Sequence, residues 1–176
     1  MIAGILFKAY TADEWAKGKI PSPGTRRTSS DSEGDKEFVV VKFNANATHI
    51  NGSLITIDGD AVATLGTAGG PALAVGGRVG VLAIASATTT STQTVVGTSY
   101  AWAQIYGKGR IRFGATSSGS ILGNMLQLGA DGVVAVGAAG SASAQLNGVQ
   151  CMTASVAAAG LFPALLTYPK FLGIPA

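Results

Sequence analysis

The sequence predicts an all-β protein: a sandwich or small barrel of short antiparallel strands, with an extended N-terminal arm. Two observations lead to this fold class. Small residues dominate, since Gly, Ala, Ser and Thr make up 84 of the 176 residues, and only Ala among them favours a helix. Dipeptides that suit the tight turn of a β-hairpin also recur beyond residue 37. They are Asn51-Gly52, Asp58-Gly59, Asp131-Gly132 and Asn147-Gly148.

Short apolar stretches between these turns are the predicted strands. They cover residues 38–44, 54–57, 61–65, 78–85, 100–106, 110–113, 121–128, 133–136, 150–154 and 164–168. Residues 155–166 are the one stretch with some helical character, but Pro163 favours a loop there. Residues 80–86 resemble residues 148–155, and residues 105–108 resemble residues 167–170, although the biased composition favours chance as the explanation.

Charge divides the chain at residue 37. Residues 1–37 hold six basic and six acidic side chains, whereas residues 38–176 hold six basic and three acidic ones, which account for the net charge of +3. Thr11 and Glu14 have the spacing of a capping box, which predicts a short helix over residues 12–17 that presents Trp15. Residues 21–34 contain no apolar anchor, so we expect them to be mobile without a partner. The chain is therefore divided into an N-terminal arm, residues 1–37, and a β-rich body, residues 38–176.

The body is poor in residues that perform chemistry. It holds one His, one Cys and three Asp. We interpret Asp58 and Asp131 as turn residues that cap their own backbone, His49 as an isolated hydrogen-bonded or exposed side chain, and Cys151 as a buried thiol. We therefore expect a protein that is not an enzyme, with no catalytic residue, no bound metal, no cofactor and no small-molecule substrate.

Sequence patterns argue against three further classes of protein: hydrolases, membrane proteins and secreted proteins. Residues 97–101 come closest to the Gly-x-Ser-x-Gly turn of a hydrolase, with Ser99 at its centre, but Ala101 replaces the last glycine. The longest apolar stretch, residues 61–87, is interrupted by several glycines, Pro71 and Arg78, so we expect no membrane contact. Residues 1–7 are too short and lack the basic flank of a secretory signal, which predicts synthesis in the cytoplasm.

One strand of the body carries a patterned face. If no bulge intervenes at Gly107 or Gly109, strand alternation puts aromatic and then basic side chains on one side, from Tyr100 to Arg112. The arm adds an aromatic residue and an Arg pair that could order on a partner. Our candidate partner-binding residues are Trp15, Arg26, Arg27, Trp102, Lys108, Arg110 and Arg112.

The scarcity of charge on the body predicts association with other protein surfaces. A soluble monomer usually covers itself with interspersed charges, whereas residues 61–107 carry only Arg78. Strands with uncharged edges pair with neighbours unless the sheet closes or the protein assembles symmetrically. We predict a homo-oligomer, and specifically a homotrimer.

The segments VGGRVGVLAIASATTTSTQTVVGTSYAWAQIYGKGRIRFGA and ILGNMLQLGADGVVAVGAAGS, roughly residues 76–140, resemble the small β-rich cement, or decoration, proteins on the capsids of tailed bacteriophages. The shared features are a Val-Gly-Val segment at residues 79–81, an alternating strand that runs into a Gly-basic stretch at residues 101–112, and a GADG turn within residues 129–135. The resemblance implies a non-enzymatic structural protein of the virion, made in the host cytoplasm. It implies binding to the major capsid protein on the outer capsid surface, as a homotrimer that stabilises the shell and reaches neighbouring subunits with its arm.

Three alternatives stay open. Gly-, Ala-, Ser- and Thr-rich strands also build phage tails and fibres. An OB-like module could bind nucleic acid through the aromatic and basic face at residues 102–112, although we do not expect nucleic acid as the partner. A lectin-like appendage could stack exposed aromatic rings on sugars, but no cluster of polar side chains accompanies them.

Overall fold

The chain is all-β, as the sequence predicts. The computed structural model describes residues 6–65, 77–85, 91–114, 126–128, 132–136, 145–153 and 159–173. In chain order its elements are β1 (Tyr10–Thr11), α1 (Ala12–Ala16), β2 (Arg26–Asp31), β3 (Gly34–Phe43), β4 (Ala47–Ile50), β5 (Leu54–Ile57), β6 (Ala63–Leu65), β7 (Arg78–Ala83), β8 (Thr92–Val95), β9 (Ser99–Phe113), β10 (Leu126–Leu128), β11 (Val134–Val136), β12 (Gln145–Cys151) and β13 (Gly160–Gly173). Among the described residues, no helix combines the length and apolar character needed to cross a membrane.

Five strands of the first half close into a ring, here called the N-terminal barrel. β3 pairs with β9, β9 with β7, β7 with β5, and β5 with β6, all antiparallel. The ring closes because Val62, just before β6, forms a parallel bridge with Lys42 of β3. The Lys42 amide donates to the carbonyl of Ala61 at 3.0 Å. Aliphatic side chains such as Val41 and Leu82 fill the interior.

A second ring, the C-terminal barrel, forms from β9 onward. β9 pairs with β13, β13 with β12, β12 with β10, and β10 with β11, again antiparallel. Val134 of β11 then pairs in parallel with Phe113 of β9 and closes the ring. Phe113, Leu126, Val134 and Leu166 are fully buried in the core of this barrel. The predicted choice between a sandwich and a barrel is therefore resolved as two small barrels.

The two barrels share β9 and pack against each other through β5 and β7. Residues 99–106 of β9 pair with β3, whereas residues 106–113 pair with β13. Ile55 and Leu82 belong to the core of the N-terminal barrel, while Leu54, Val79 and Val81 belong to the core of the C-terminal barrel. Both faces of β5 and β7 are therefore covered. Strands buried on both faces have almost continuously apolar sequences, without the polar alternation of a half-exposed strand, and β5 and β7 follow this rule.

The two rings have the same strand order. Numbered along the chain, the strands are β3, β5, β6, β7 and β9 in the first ring and β9, β10, β11, β12 and β13 in the second. Around each ring their order is first, fifth, fourth, second and third. The third strand then closes the ring by a parallel pairing with the first. The similar segments noted in the sequence fall on matching strands: residues 80–86 and 148–155 begin in the fourth strands, β7 and β12. Residues 105–108 and 167–170 lie in the fifth strand of each ring, β9 and β13. Both pairs of similar segments therefore lie in corresponding strands of the two rings.

Two of the four predicted hairpin turns are confirmed as connections between paired strands. Asp58-Gly59 lies between β5 and β6, and Asp131-Gly132 lies between β10 and β11, although Asp131 falls outside the described residues. The other two predictions were wrong. Asn51-Gly52 joins β4 to β5, which pair with different strands, and Asn147-Gly148 forms a bulge inside β12, where the register with β13 shifts. Both glycines still need positive φ, at 81° and 74°.

The strand predictions held in part, and several failed because tertiary pairing outweighed local preference. Residues 54–57 form β5 with the predicted bounds, while the predicted strands at 100–106 and 110–113 are one continuous strand, β9. The predicted loop around Pro163 was wrong, because that residue lies inside β13 opposite Arg110. Its carbonyl accepts the Met152 amide at 2.9 Å, so Pro163 still contributes one hydrogen bond between β13 and the end of β12, although it has no amide to donate. The strands β1, β2, β4 and β8 were not predicted.

The short helix of the arm is confirmed. Thr11 is its N-cap: its side chain accepts the Glu14 amide at 3.2 Å, and the Glu14 carboxylate accepts the Thr11 amide at 3.1 Å. The helix ends at Ala16, one residue before the predicted end. The expected mobility of residues 21–34 was wrong for β2, which pairs with β3 over six residue pairs, from Arg26 opposite Val39 to Asp31 opposite Gly34. β3 itself runs across residue 37.

The described arm residues pack on the outer face of the N-terminal barrel. Tyr10 and Ile20 are buried in one cluster with Phe38, Val40 and Trp102, and Phe7 packs against it. The two-residue strand β1 adds two backbone pairs to the start of β9. This apolar contact supplies the anchor that residues 21–34 lack in their own sequence.

Gly107 lies where β9 passes from one barrel to the other. Its φ is +89°, and a Cβ atom there would lie 2.1 Å from the Asp35 carbonyl oxygen. Gly18 has a similar φ of +71° but open space around its Cβ position. We expect Gly107→Ala to destabilise the fold by roughly 3 kcal/mol or more, and Gly18→Ala by only about 1 kcal/mol. Urea unfolding measures both, and equal losses for the two variants would contradict the close approach at Gly107.

Candidate interaction surface

The seven predicted partner-binding residues lie in three different environments. Trp15, Arg26 and Arg27 are exposed on the arm, and Lys108 is exposed on β9, with Arg110 and Arg112 partly buried further along that strand. Trp102 is only 2% exposed, because the arm covers it. Its inclusion was therefore a wrong prediction for direct contact, since its ring cannot stack on a partner in this arrangement. Of the predicted face, Tyr100 and Trp102 are buried, Tyr106 and Lys108 are exposed, and Arg110 and Arg112 are half-buried.

Trp15 is held by the body on one side. Its ring stacks on Tyr100, with 5.1 Å between the centroids and 16° between the planes, while 38% of the residue is exposed. Lys8 pairs with Glu14 of the same helix, and Lys8 also lies over the Tyr10 ring at 4.9 Å. The helix therefore presents Trp15 in a defined orientation, with one ring face occupied.

A chain of polar contacts links the arm to both barrels. Arg26 Nη1 forms an ion pair with Glu37 Oε1 at 2.9 Å, and the Tyr168 hydroxyl donates to Glu37 Oε2 at 2.8 Å. The hydrogen bond to Glu37 raises the pKa of Tyr168. The Tyr168 ring stacks on Tyr106, with 5.2 Å between centroids. Glu37 therefore holds one tyrosine of an exposed aromatic pair that spans β9 and β13.

Lys36 is a buried cation with two carboxylate partners. Its ammonium donates to Asp31 Oδ2 at 2.8 Å and to Glu33 Oε2 at 2.7 Å. Burial opposes its charge, but these two hydrogen bonds outweigh burial and raise the pKa of Lys36. The hydrogen bond from Lys36 lowers the pKa of Asp31 in turn. The hairpin of β2 and β3 thus neutralises its own charges.

A small cleft of about 60 Å³ lies beside the bulge of β9. Gln104 spans this bulge, because its side-chain amide donates to the carbonyls of Tyr106 and Lys108, both at 3.0 Å. Gln104, Lys108 and Arg110 of the predicted strand face line the cleft. Tyr106 does not, because the register of β9 with β3 shifts between Gln104 and Tyr106, which interrupts the predicted alternation. Other lining residues are Phe7, Lys36, Phe38 and Asn51.

Ion pairs are confined to one part of the chain. Within the described residues, every ion pair joins two side chains of residues 8–37. No basic side chain of the body forms an ion pair with any described carboxylate. These side chains are Lys42, Arg78, Lys108, Arg110, Arg112 and Lys170. One nitrogen of Arg112, Nη1, is buried and lacks a hydrogen-bond partner in the described part of the chain.

His49 and Ser99 form a buried pair that resembles the base and nucleophile of a hydrolase in geometry alone. His49 Nε2 lies 2.9 Å from Ser99 Oγ, and both residues are fully buried. The His49 ring packs edge-on against Phe43 at 4.5 Å, and its Nδ1 has no hydrogen-bond partner among the described residues. Burial lowers the pKa of His49 to about 4. A catalytic pair needs access to substrate and a group that orients the base, so this pair is a packing feature of the barrel.

Other residues considered in the sequence have structural roles. Asp58 Oδ1 accepts the amides of Asp60 at 2.9 Å and Val62 at 2.8 Å, which confirms the predicted backbone cap. Cys151 is buried as predicted, and burial raises the pKa of its thiol. Across the described segments, no group of three or more His, Cys, Asp and Glu side chains is arranged to hold a metal ion.

Sequence reasoning missed the residues that organise this surface. Glu37 and Tyr168 were not candidates, because they are 131 residues apart in the chain. Gln104 was not a candidate either, although its partners Tyr106 and Lys108 are only two and four residues away. The one available signal was the similarity of residues 105–108 to residues 167–170, which aligns Tyr106 with Tyr168.

Similarity to known proteins adds no information about this surface. No protein-family description matches the chain, and no curated protein matches it either. Function is therefore inferred from the geometry and charges described above.

The neutral His49 predicts a pH-dependent stability. The ordinary pKa of 6.5 applies to the unfolded chain and a pKa of about 4 to the folded one, so the unfolded chain binds the proton first as pH falls. Stability should be constant above pH 7 and decrease by about 2 kcal/mol between pH 7 and pH 5. Urea unfolding at each pH measures this. His49→Asn, which keeps a polar partner for Ser99, should lose the dependence, and an unchanged slope in that variant would contradict the assignment.

Proposed function

We propose that this chain is a non-enzymatic structural protein of a bacteriophage virion. In this proposal it binds the outer surface of an assembled capsid as a homotrimer, contacts the major capsid protein and stabilises the shell. One observation carries the proposal: the ion pairs of the described residues all lie within residues 8–37, and the barrels present a surface with few carboxylates. Surfaces of this kind suit burial against other protein copies.

Burial of the described reactive pair supports a binding role over catalysis. Among the described residues, the geometry that resembles catalytic machinery, His49 with Ser99, is sealed inside the barrel. Two rigid barrels that share a strand are instead a suitable body for bracing a lattice.

An uncharged pair of strands supports self-association. Within the described residues, β4 and β8 pair only with each other, and their sequences, ATHI and TQTV, contain no Lys, Arg, Asp, Glu or Pro. Natural proteins usually protect such edges with charge, proline or a bulge. Val96, directly after β8, is 82% exposed. We assign the contact between copies to this pair of strands.

The arm has a more restricted role in this proposal than the sequence alone suggested. Tyr10 and Ile20 pack on the same chain and cover Trp102. Removal of residues 1–37 would expose this apolar cluster and delete the start of β3, so such a truncation would test folding more than capsid binding. Trp15, Arg26 and Arg27 remain available on the outer side of the arm.

The proposed trimer predicts a specific effect of charge at β8. The native chain should have three times the monomer mass in light scattering after size exclusion. Thr94→Lys combined with Val96→Lys should yield monomers, because two cations per copy would face each other at the uncharged edge. Ala12→Lys combined with Ala16→Lys, on the exposed side of α1, adds the same charge and should leave the trimer intact. A monomeric native chain, or a trimer in the β8 variant, would overturn this interface.

Capsid binding is tested with particles assembled from the major capsid protein encoded in the same genome. We expect the chain to co-sediment with these capsids and to raise the temperature at which they rupture. Gold-labelled antibody against the chain should mark the head in electron micrographs of virions. Label on the tail would favour the tail or fibre alternative, and a chain that neither binds capsids nor occurs in virions would reject the proposal.

A further inference from the structure

We propose that the surface where the two barrels meet is the docking site for an acidic protein segment. This surface, here called the junction patch, consists of Arg78, Tyr106, Lys108, Tyr168 and Lys170. The inference deepens the proposed function and rests on it in one respect: the acidic segment is taken to belong to the major capsid protein.

The junction patch is continuous along the β9 and β13 ladder. Tyr106 lies opposite Thr167, Lys108 opposite Leu165, and Lys170 opposite Arg78 of β7. All five side chains of the patch are exposed, so they point away from the barrel interiors. Two stacked tyrosine rings therefore lie between cations on an outer wall shared by both barrels.

The cations of the junction patch have no ion-pair partner among the described residues. Lys170 and Arg78 occupy directly opposed positions, an arrangement of like charges that destabilises a sheet. No described carboxylate forms an ion pair with either residue or with Lys108. The carboxylate beside the tyrosines, Glu37, is already engaged by Arg26 and by the Tyr168 hydroxyl. An acidic partner would remove this repulsion and gain charge-assisted hydrogen bonds.

Backbone conformation marks Tyr168 as a strained residue. Its φ of +53° lies in the left-handed region, which costs free energy for a residue with a Cβ atom. The strained backbone presents a tyrosine that is 48% exposed, stacked on Tyr106 and tethered through its hydroxyl to Glu37. A pre-oriented aromatic side chain loses little entropy on binding, and tyrosine and arginine are enriched among the residues that dominate protein interfaces.

The same features favour protein over nucleic acid as the partner. Binding of single strands relies on open aromatic faces on which bases stack. Tyr106 and Tyr168 already stack on each other, and Trp102 is buried. Carboxylate side chains on a short acidic segment can instead form a separate ion pair with each cation.

Calorimetric titration with a short polyglutamate peptide at low ionic strength tests the proposal. We expect binding that weakens with added salt. Lys108→Glu combined with Lys170→Glu should weaken it by about tenfold or more. Lys17→Glu combined with Lys19→Glu carries the same charge change on exposed arm residues and should change the affinity by less than about twofold. Because all four residues are exposed, the variants should keep the native circular dichroism spectrum.

Three results would overturn the junction patch as an acidic docking site. They are no binding of polyglutamate at low salt, equal losses in the two double variants, and tighter binding of single-stranded oligothymidylate that depends on the same lysines. The proposed function is tested separately by capsid co-sedimentation. Capsid binding that survives Lys108→Glu with Lys170→Glu would reject the patch but keep the virion role, whereas peptide binding without capsid binding would reject the virion role alone.

Discussion

The structure depends on one constraint: a single strand, β9, forms a wall of two closed barrels. Its first half pairs with β3 and its second half with β13, so the strand must change its course without losing backbone hydrogen bonds. Gly107 permits this, because its left-handed φ and missing Cβ let the backbone approach the Asp35 carbonyl. Gln104 satisfies two carbonyls at the same point. The exposed tyrosines, the cleft and the unpaired cations are all arranged around this bulge.

The repeated strand order gives the molecule a second organising feature. Each ring closes through one parallel bridge, Lys42 with Val62 in the first and Phe113 with Val134 in the second. Closure leaves few free edges, which reduces the risk of uncontrolled pairing in a chain with so little charge. Among the described strands outside the rings, β4 and β8 form a pair without charged side chains. Tyr106 and Tyr168 lie in the fifth strand of each ring, so the stacked pair joins equivalent points of the two barrels.

Charge separates the molecule into two electrostatic parts. The carboxylates of the arm are used internally, by Lys8, Arg26 and Lys36 above all, while the cations of the body have no described ion-pair partner. The buried His49 and Ser99 show that hydrogen-bond geometry alone does not make a catalytic site, since both residues are sealed from solvent. Exposed cations and aromatic rings are the groups that the described surface offers for binding.

By itself the sequence determined what depends on neighbouring residues. The all-β class, the capping box of Thr11 and Glu14, the bounds of β5 and the backbone cap of Asp58 all arise from short-range geometry and composition. Tertiary structure alone decided that Asn51-Gly52 links strands that do not pair, that Pro163 lies inside a strand, and that the arm buries Trp102. These outcomes depend on contacts between residues far apart in the chain. The burial they bring outweighs local preference, and a linear pattern contains no record of which distant segment supplies it.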